Sequence, residues 1–164
     1  LERGGTIDKF IGDSVMAYFG APVPHSNHAQ RAVLAAMDIS RIIEERNQRC
    51  RGLDPSAPSL VPVEIGIGIH TGTVVVGNIG SDRRTDFTAV GDAVNVAHRL
   101  EKLARPGEIL VSEAVQRRVR TFATLHFEGE RQLSGREEPV HVYSVDIDYK
   151  RPQPDVPRSP SENG

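Results

Sequence analysis

The chain has 164 residues, 38% of them hydrophobic and 26% charged, enough for one compact domain and too few for two. A formal charge of −2 argues against a nucleic-acid binder, which needs a basic surface to displace counterions from phosphates. The single cysteine, Cys50, excludes an internal disulfide framework and a multi-cysteine zinc site, and fits a reducing, cytoplasmic setting.

No apolar run reaches membrane-spanning length, and no signal peptide opens the chain. The first residue is Leu1 rather than methionine, so the expectation is a fragment of a longer protein. Residues 6–11 (TIDKFI) and 14–19 (SVMAYF) read as two strands joined by Gly12-Asp13. Glycine first in a two-residue loop suits a type II′ hairpin, which puts Asp13 at the tip of the turn.

A Pro-containing connection (20–29) leads into a helix over about 29–49. Ala32, Val33, Ala36, Ile39, Ile42 and Ile43 fall at three- and four-residue steps and predict its buried stripe. His25 and His28 lie near its start, without an acidic or sulfur partner at metal-site spacing. After a polar loop, 63–80 (VEIGIGIHTGTVVVGNIG) reads as a strand, a turn at Thr71-Gly72 and a second strand.

Gly66 and Gly68 share one face of the first of these strands, so a helix or another chain must approach that face closely. The glycines around Val76 lack the Gly-Lys-Ser/Thr ending of a phosphate-cradling loop. A strand over 83–90 breaks at Gly91, and Asp92 is placed to cap a helix over about 93–103.

Residues 107–119 give a strand and a short helix with Ser112 as its cap, and strands near 124–133 and 139–147 close the domain. Hairpins joining strands, interleaved with helices, predict an α+β fold: a mostly antiparallel sheet with helices against it. Pro152, Pro154, Pro157 and Pro160 mark residues 150–164 as a disordered tail or linker outside a domain of 1–149.

Several polar residues do not belong to a core. Asn95 and Arg99 are four apart, hence neighbours on one helical face; Arg99 suits phosphate, and Asn95 both donates and accepts. Asp13 is a hard oxygen ligand of the kind Mg²⁺ uses together with substrate phosphates. With Lys9 on the incoming strand and Thr88 just before the Asn95 helix, these residues suggest a nucleotide site. The bland alternative is a solvated Asn/Arg pair and a turn aspartate.

The segments GGTIDKFIGDSVMAYFGAPVP, GIGIHTGTVVVGNIGS and DFTAVGDAVNVAHRLE, in that order, closely resemble the class III nucleotidyl cyclase catalytic domain over about 1–147. The resemblance implies a ferredoxin-like βαββαβ core with added elements. It also implies conversion of ATP or GTP to the 3′,5′-cyclic monophosphate and pyrophosphate, at sites formed between two catalytic domains arranged head to tail.

By position, Asp13 resembles the second of the family's two metal aspartates, holding Mg²⁺ or Mn²⁺. Asn95 resembles the ribose-orienting residue, and Arg99 the one that stabilises charge on the α-phosphate. Lys9 and Thr88 resemble the base-selecting pair. Lysine donates to adenine N1 and the hydroxyl accepts from the 6-amino group, whereas guanine reverses both edges, so ATP is the expected substrate. A homodimer would then have two equivalent sites, each combining Asp13 of one chain with Lys9, Thr88, Asn95 and Arg99 of the other.

The sequence departs from the family pattern twice. The first metal aspartate and its core strand are expected upstream of Leu1. Ser134 stands where the family usually carries a triphosphate-contacting lysine, a role that Arg136 does not inherit. That second departure leaves an alternative reading, a weakly active or inactive cyclase-homology module that binds nucleotide or a partner and regulates neighbouring domains. No Gly-Gly-Asp/Glu-Glu-Phe signature of a diguanylate cyclase occurs.

Overall fold

The structure, a computed structural model, describes residues 3–51, 61–81, 84–132 and 138–147. In chain order these form β1 (Gly5–Ile11), β2 (Ser14–Phe19), α1 (His28–Arg51), β3 (Ile67–Ile69), β4 (Val75–Ser81) and β5 (Arg84–Val90). The chain continues through α2 (Asp92–Leu103), β6 (Ile109–Ser112), α3 (Glu113–Val119), β7 (Leu125–Arg131) and β8 (Val140–Val145). The expected α+β class is observed. A four-stranded sheet runs β3-β6-β8-β7, with β3 and β6 parallel and the other pairs antiparallel, and β1-β2 and β4-β5 are separate antiparallel hairpins.

The core lies on both faces of the four-stranded sheet. β6 runs through its interior, and its two-residue alternation divides its side chains between two clusters. Ile109 and Val111 meet Val33, Ala36 and Met37 of α1 and Val115 and Val119 of α3. Leu110 meets Val96 and Leu100 of α2, with Val140 and Val142 of β8. Leu100 and Val111 are wholly buried, and truncating such a side chain to alanine typically costs about 2–5 kcal/mol.

The β1–β2 turn forms as its sequence requires. Ile11 pairs with Ser14, Gly12 has φ 63°, and no described residue other than glycine has positive φ, the combination of a type II′ loop. The α1 stripe is shifted from expectation. Val33 and Ala36 are buried, but Met37 takes the place assigned to Ile39 and Ile42, which are both exposed. Further along the helix Asn47 is buried, its side-chain amide holding the Val63 N–H and C=O at 2.9 and 2.7 Å. That side of α1 therefore grips the chain entering β3 through hydrogen bonds instead of an apolar stripe.

The hairpin expected over 63–80 does not form. β3 pairs with β6, while β4 pairs with β5 from Val75↔Val90 to Ser81↔Arg84. Alternation marks both segments as strands, but the partner is chosen by tertiary packing. The glycine face of β3 is covered by α2: a Cβ on Gly68 would collide with the backbone of Ala97, Leu100 and Glu101, and one on Gly66 would lie 2.7 Å from the Ala104 carbonyl oxygen. Of the two neighbours that face allowed, it is the helix that occupies it.

Two expected caps are also corrected. Gly91, not Asp92, is the N-cap of α2, and Asp92 is its first helical residue. Ser112 does occupy the N-cap of α3 but makes no capping bond, because its hydroxyl is 2.7 Å from His70 Nδ1. The strand expected to end near 133 stops at Arg131, and residues 133–137 and 148–164, including Ser134, Arg136 and the Pro-rich tail, lie outside the described residues.

His28 opens α1, and burial together with the Arg118 charge holds its imidazole below the ordinary value of 6.5. A lowered histidine takes up its proton more readily in the unfolded chain, so its contribution is present above pH 6.5 and is lost as the pH falls. Tm should therefore fall slightly less between about pH 7.5 and about pH 5.5 in His28→Gln than in the native protein.

Candidate nucleotide site

β1 is irregular where it matters. Ile7 pairs with Ala17 and Lys9 with Met16, so Asp8 is an extra residue with no counterpart on β2. Such a bulge interrupts the alternation of a strand and re-aims the side chains around it. The Asp8 side chain is fully buried, while that of Lys9 is 41% exposed with Nζ 3.6 Å from Asp8 Oδ2. On β5 the Thr88 hydroxyl donates to the same Oδ2 at 2.8 Å, and the Ala89 N–H donates to Oδ1 at 3.2 Å.

Asp8 thus joins Lys9 to Thr88 and ties the first hairpin to the second. Lys9 and Thr88, expected together, are brought together by a residue that the sequence reading missed. The available signal was a carboxylate within an apolar strand. Regular alternation, however, puts Asp8 and Lys9 on opposite faces, and only the bulge lets them meet.

β5 passes into α2 through Gly91 alone, so the helix starts four residues after Thr88. Val96 and Leu100 fix its inner face, leaving Asn95 exposed and Arg99 partly exposed on the adjacent strip. Neither makes a hydrogen bond or ion pair with any described residue. A guanidinium and an amide held four residues apart, without a partner among the described residues, can engage the phosphate and sugar of a nucleotide.

Asp13 stands apart from these residues, at the tip of the β1–β2 hairpin and about 10 Å along the strand from Lys9. It is exposed and has no partner among the described residues. Its oxygens are therefore available to a hard cation, and Mg²⁺ uses one or two protein carboxylates plus substrate phosphates. The described residues contain no group of three His, Cys, Asp or Glu side chains that could cage an ion by themselves. The arrangement fits a divalent ion shared with a bound triphosphate.

This α+β architecture is that of the class III nucleotidyl cyclase catalytic domains. The chain belongs to the adenylate and guanylate cyclase catalytic domain family, whose model matches residues 6–146. It is 35% identical over 149 residues to an adenylate cyclase of Anabaena cylindrica, an alignment covering 88% of this chain and 28% of that protein. The chain thus spans little more than a quarter of that relative's length.

Among solved structures, the adenylyl cyclase CyaB from P. aeruginosa superposes with a TM-score of 0.80 at 35% identity, covering 92% of this chain and 75% of that one. The guanylyl cyclase Cya2 superposes with a TM-score of 0.73 at 39% identity, covering 88% and 71%. Both base specificities occur among these relatives, so the choice of base falls to individual side chains. No helix among the described residues is long and apolar enough to cross a membrane.

Proposed function

We propose that this domain is an adenylate cyclase, converting ATP to 3′,5′-cyclic AMP and pyrophosphate. The observation that carries the reading is the Lys9–Asp8–Thr88 cluster, a donor and a hydroxyl held side by side. Adenine presents an acceptor at N1 and a donor at its 6-amino group, and this pair complements both. Guanine would leave Lys9 facing an N–H, and a site built for one hydrogen-bond pattern rejects the reverse strongly.

Asn95 hydrogen-bonds the ribose and turns its 3′-hydroxyl toward the α-phosphorus. The O3′–phosphorus bond forms as the bond to pyrophosphate breaks in line, and the hydroxyl proton passes to water. Arg99 stabilises the charge that accumulates on the α-phosphate oxygens. A divalent ion, Mg²⁺ or Mn²⁺, held by Asp13 together with the triphosphate, offsets phosphate charge when bound.

The separation of Asp13 from Lys9 supports a site completed by a second copy of the domain, arranged head to tail. The exposed apolar side chains on both hairpins support the same assembly: Phe10, Ile11 and Val15 on the first, and Val75, Phe87 and Val90 on the second.

Steady-state kinetics of the full-length protein with ATP and GTP in parallel tests this reading. The expected result is a kcat/KM for ATP more than about tenfold above that for GTP. Equal values, or a preference for GTP, would overturn the assignment of substrate. Nucleotide binding with no cyclic product from either would overturn catalysis itself.

A further inference from the structure

We propose that Asp8 is a positioning residue for base selection: its carboxylate takes the proton of the Thr88 hydroxyl and so fixes that hydroxyl as an acceptor toward the purine 6-position. The proposal rests on the ATP reading above and supplies what that reading lacks. A threonine hydroxyl carries one proton and two lone pairs, and a freely turning one can serve adenine's 6-amino group or guanine's 6-oxo group equally well. Unaided, Thr88 would discriminate little.

The geometry removes that freedom. A carboxylate offers only acceptors, so the 2.8 Å contact to Asp8 Oδ2 commits the Thr88 proton to Asp8. The other acceptor near the hydroxyl, the Ala89 carbonyl at 3.5 Å, is at the limit of a hydrogen bond. Thr88 and Asp8 are both buried, so water does not compete for the proton. The Ala89 N–H fixes Oδ1 from the next residue along, holding the carboxylate plane. What remains on the Thr88 oxygen is lone pairs, complementary to an amino group and repelled by an oxo group.

A structural role alone, tying β1 to β5, would give the same contacts, so the test must read selectivity and not activity. In Asp8→Asn the Ala89 N–H retains the amide oxygen, which turns the amide NH₂ toward Thr88. The hydroxyl then accepts from Asn and its proton is free to face the base. Relative to the native protein, the ATP:GTP ratio of kcat/KM should fall by about tenfold or more. In a Thr88→Val background the same Asp8→Asn change should leave the ratio unmoved, since there is no hydroxyl to turn. A loss of activity without a change in ratio, or an equal change in the Thr88→Val background, overturns the proposal while leaving the ATP reading intact. A native protein that does not prefer ATP overturns both.

Should Asp8→Asn fail to fold, the unmodified protein decides. Purine riboside triphosphate and its 6-methoxy derivative both keep the N1 acceptor for Lys9 and differ at position 6. A fixed acceptor makes the methoxy compound the poorer substrate. If the methoxy compound is used as well as the parent purine, or better, the hydroxyl is free to donate and the proposal fails.

Discussion

Replacing Arg99 with alanine should lower kcat for cyclic AMP formation by about 100- to 1,000-fold, the range typical for removing one donor aimed at developing negative charge. KM for ATP should move much less, because the charge on the α-phosphate oxygens grows during reaction and is smaller in the ground state. The loss should not be one of folding. Arg99 has no described hydrogen-bond or ion-pair partner, and its helix is anchored by Val96 and Leu100, both wholly buried. Tm should therefore match that of the native protein. Arg99→Lys keeps the charge but loses the planar fork, and should recover only part of the rate. Rapid-quench or steady-state measurement of cyclic AMP, paired with a melting curve, checks both halves. A near-native kcat would remove Arg99 from the chemistry.

The second large effect is structural and lies out of sight of the substrate. Gly68→Ala should destabilise the domain by about 3 kcal/mol, the upper end of what overpacking a core costs. For a domain of this size that is a fall in Tm of roughly 10 °C. The added methyl would enter space already filled by the backbone of α2 at Ala97, Leu100 and Glu101, and backbone cannot swing aside as a flexible side chain can. The helix must lift from β3, loosening Leu100 from Leu110 and Val142 and displacing Asn95 and Arg99 with it. Gly77→Ala is the matched control. Its Cβ would meet nothing within 4 Å, so its melting curve should be close to native. If Gly68→Ala melts with Gly77→Ala, the close packing of α2 on β3 is wrong.

Much of this was legible because it is written in short-range pattern. Glycine followed by aspartate between two alternating segments is enough for a hairpin, and the observed φ of Gly12 follows from it. The four-residue step from Asn95 to Arg99 places them on one helical face in any environment that keeps the helix. The paired glycines at 66 and 68 announced a close neighbour, and α2 is that neighbour. The three motifs identified the family without reference to any contact.

Other features depend on which distant segment arrives, and local pattern does not encode that. A strand's alternation specifies which of its faces is buried but leaves both hydrogen-bonding edges open. The expected pairing within 63–80 was therefore displaced by β6 on one segment and β5 on the other. Asp92 and Ser112 had the chemistry of caps, yet one falls a residue inside its helix and the other spends its hydroxyl on His70. Asp8 is the strongest case. A one-residue bulge reverses the parity on which every strand argument rests, and through it a carboxylate that looked like an ordinary strand residue meets both Lys9 and Thr88. Short-range pattern was enough for most of the elements, for the family and for naming candidate polar residues. Only the folded arrangement settled which strands pair and which carboxylate meets the Thr88 hydroxyl, because both depend on contacts between residues far apart in the chain.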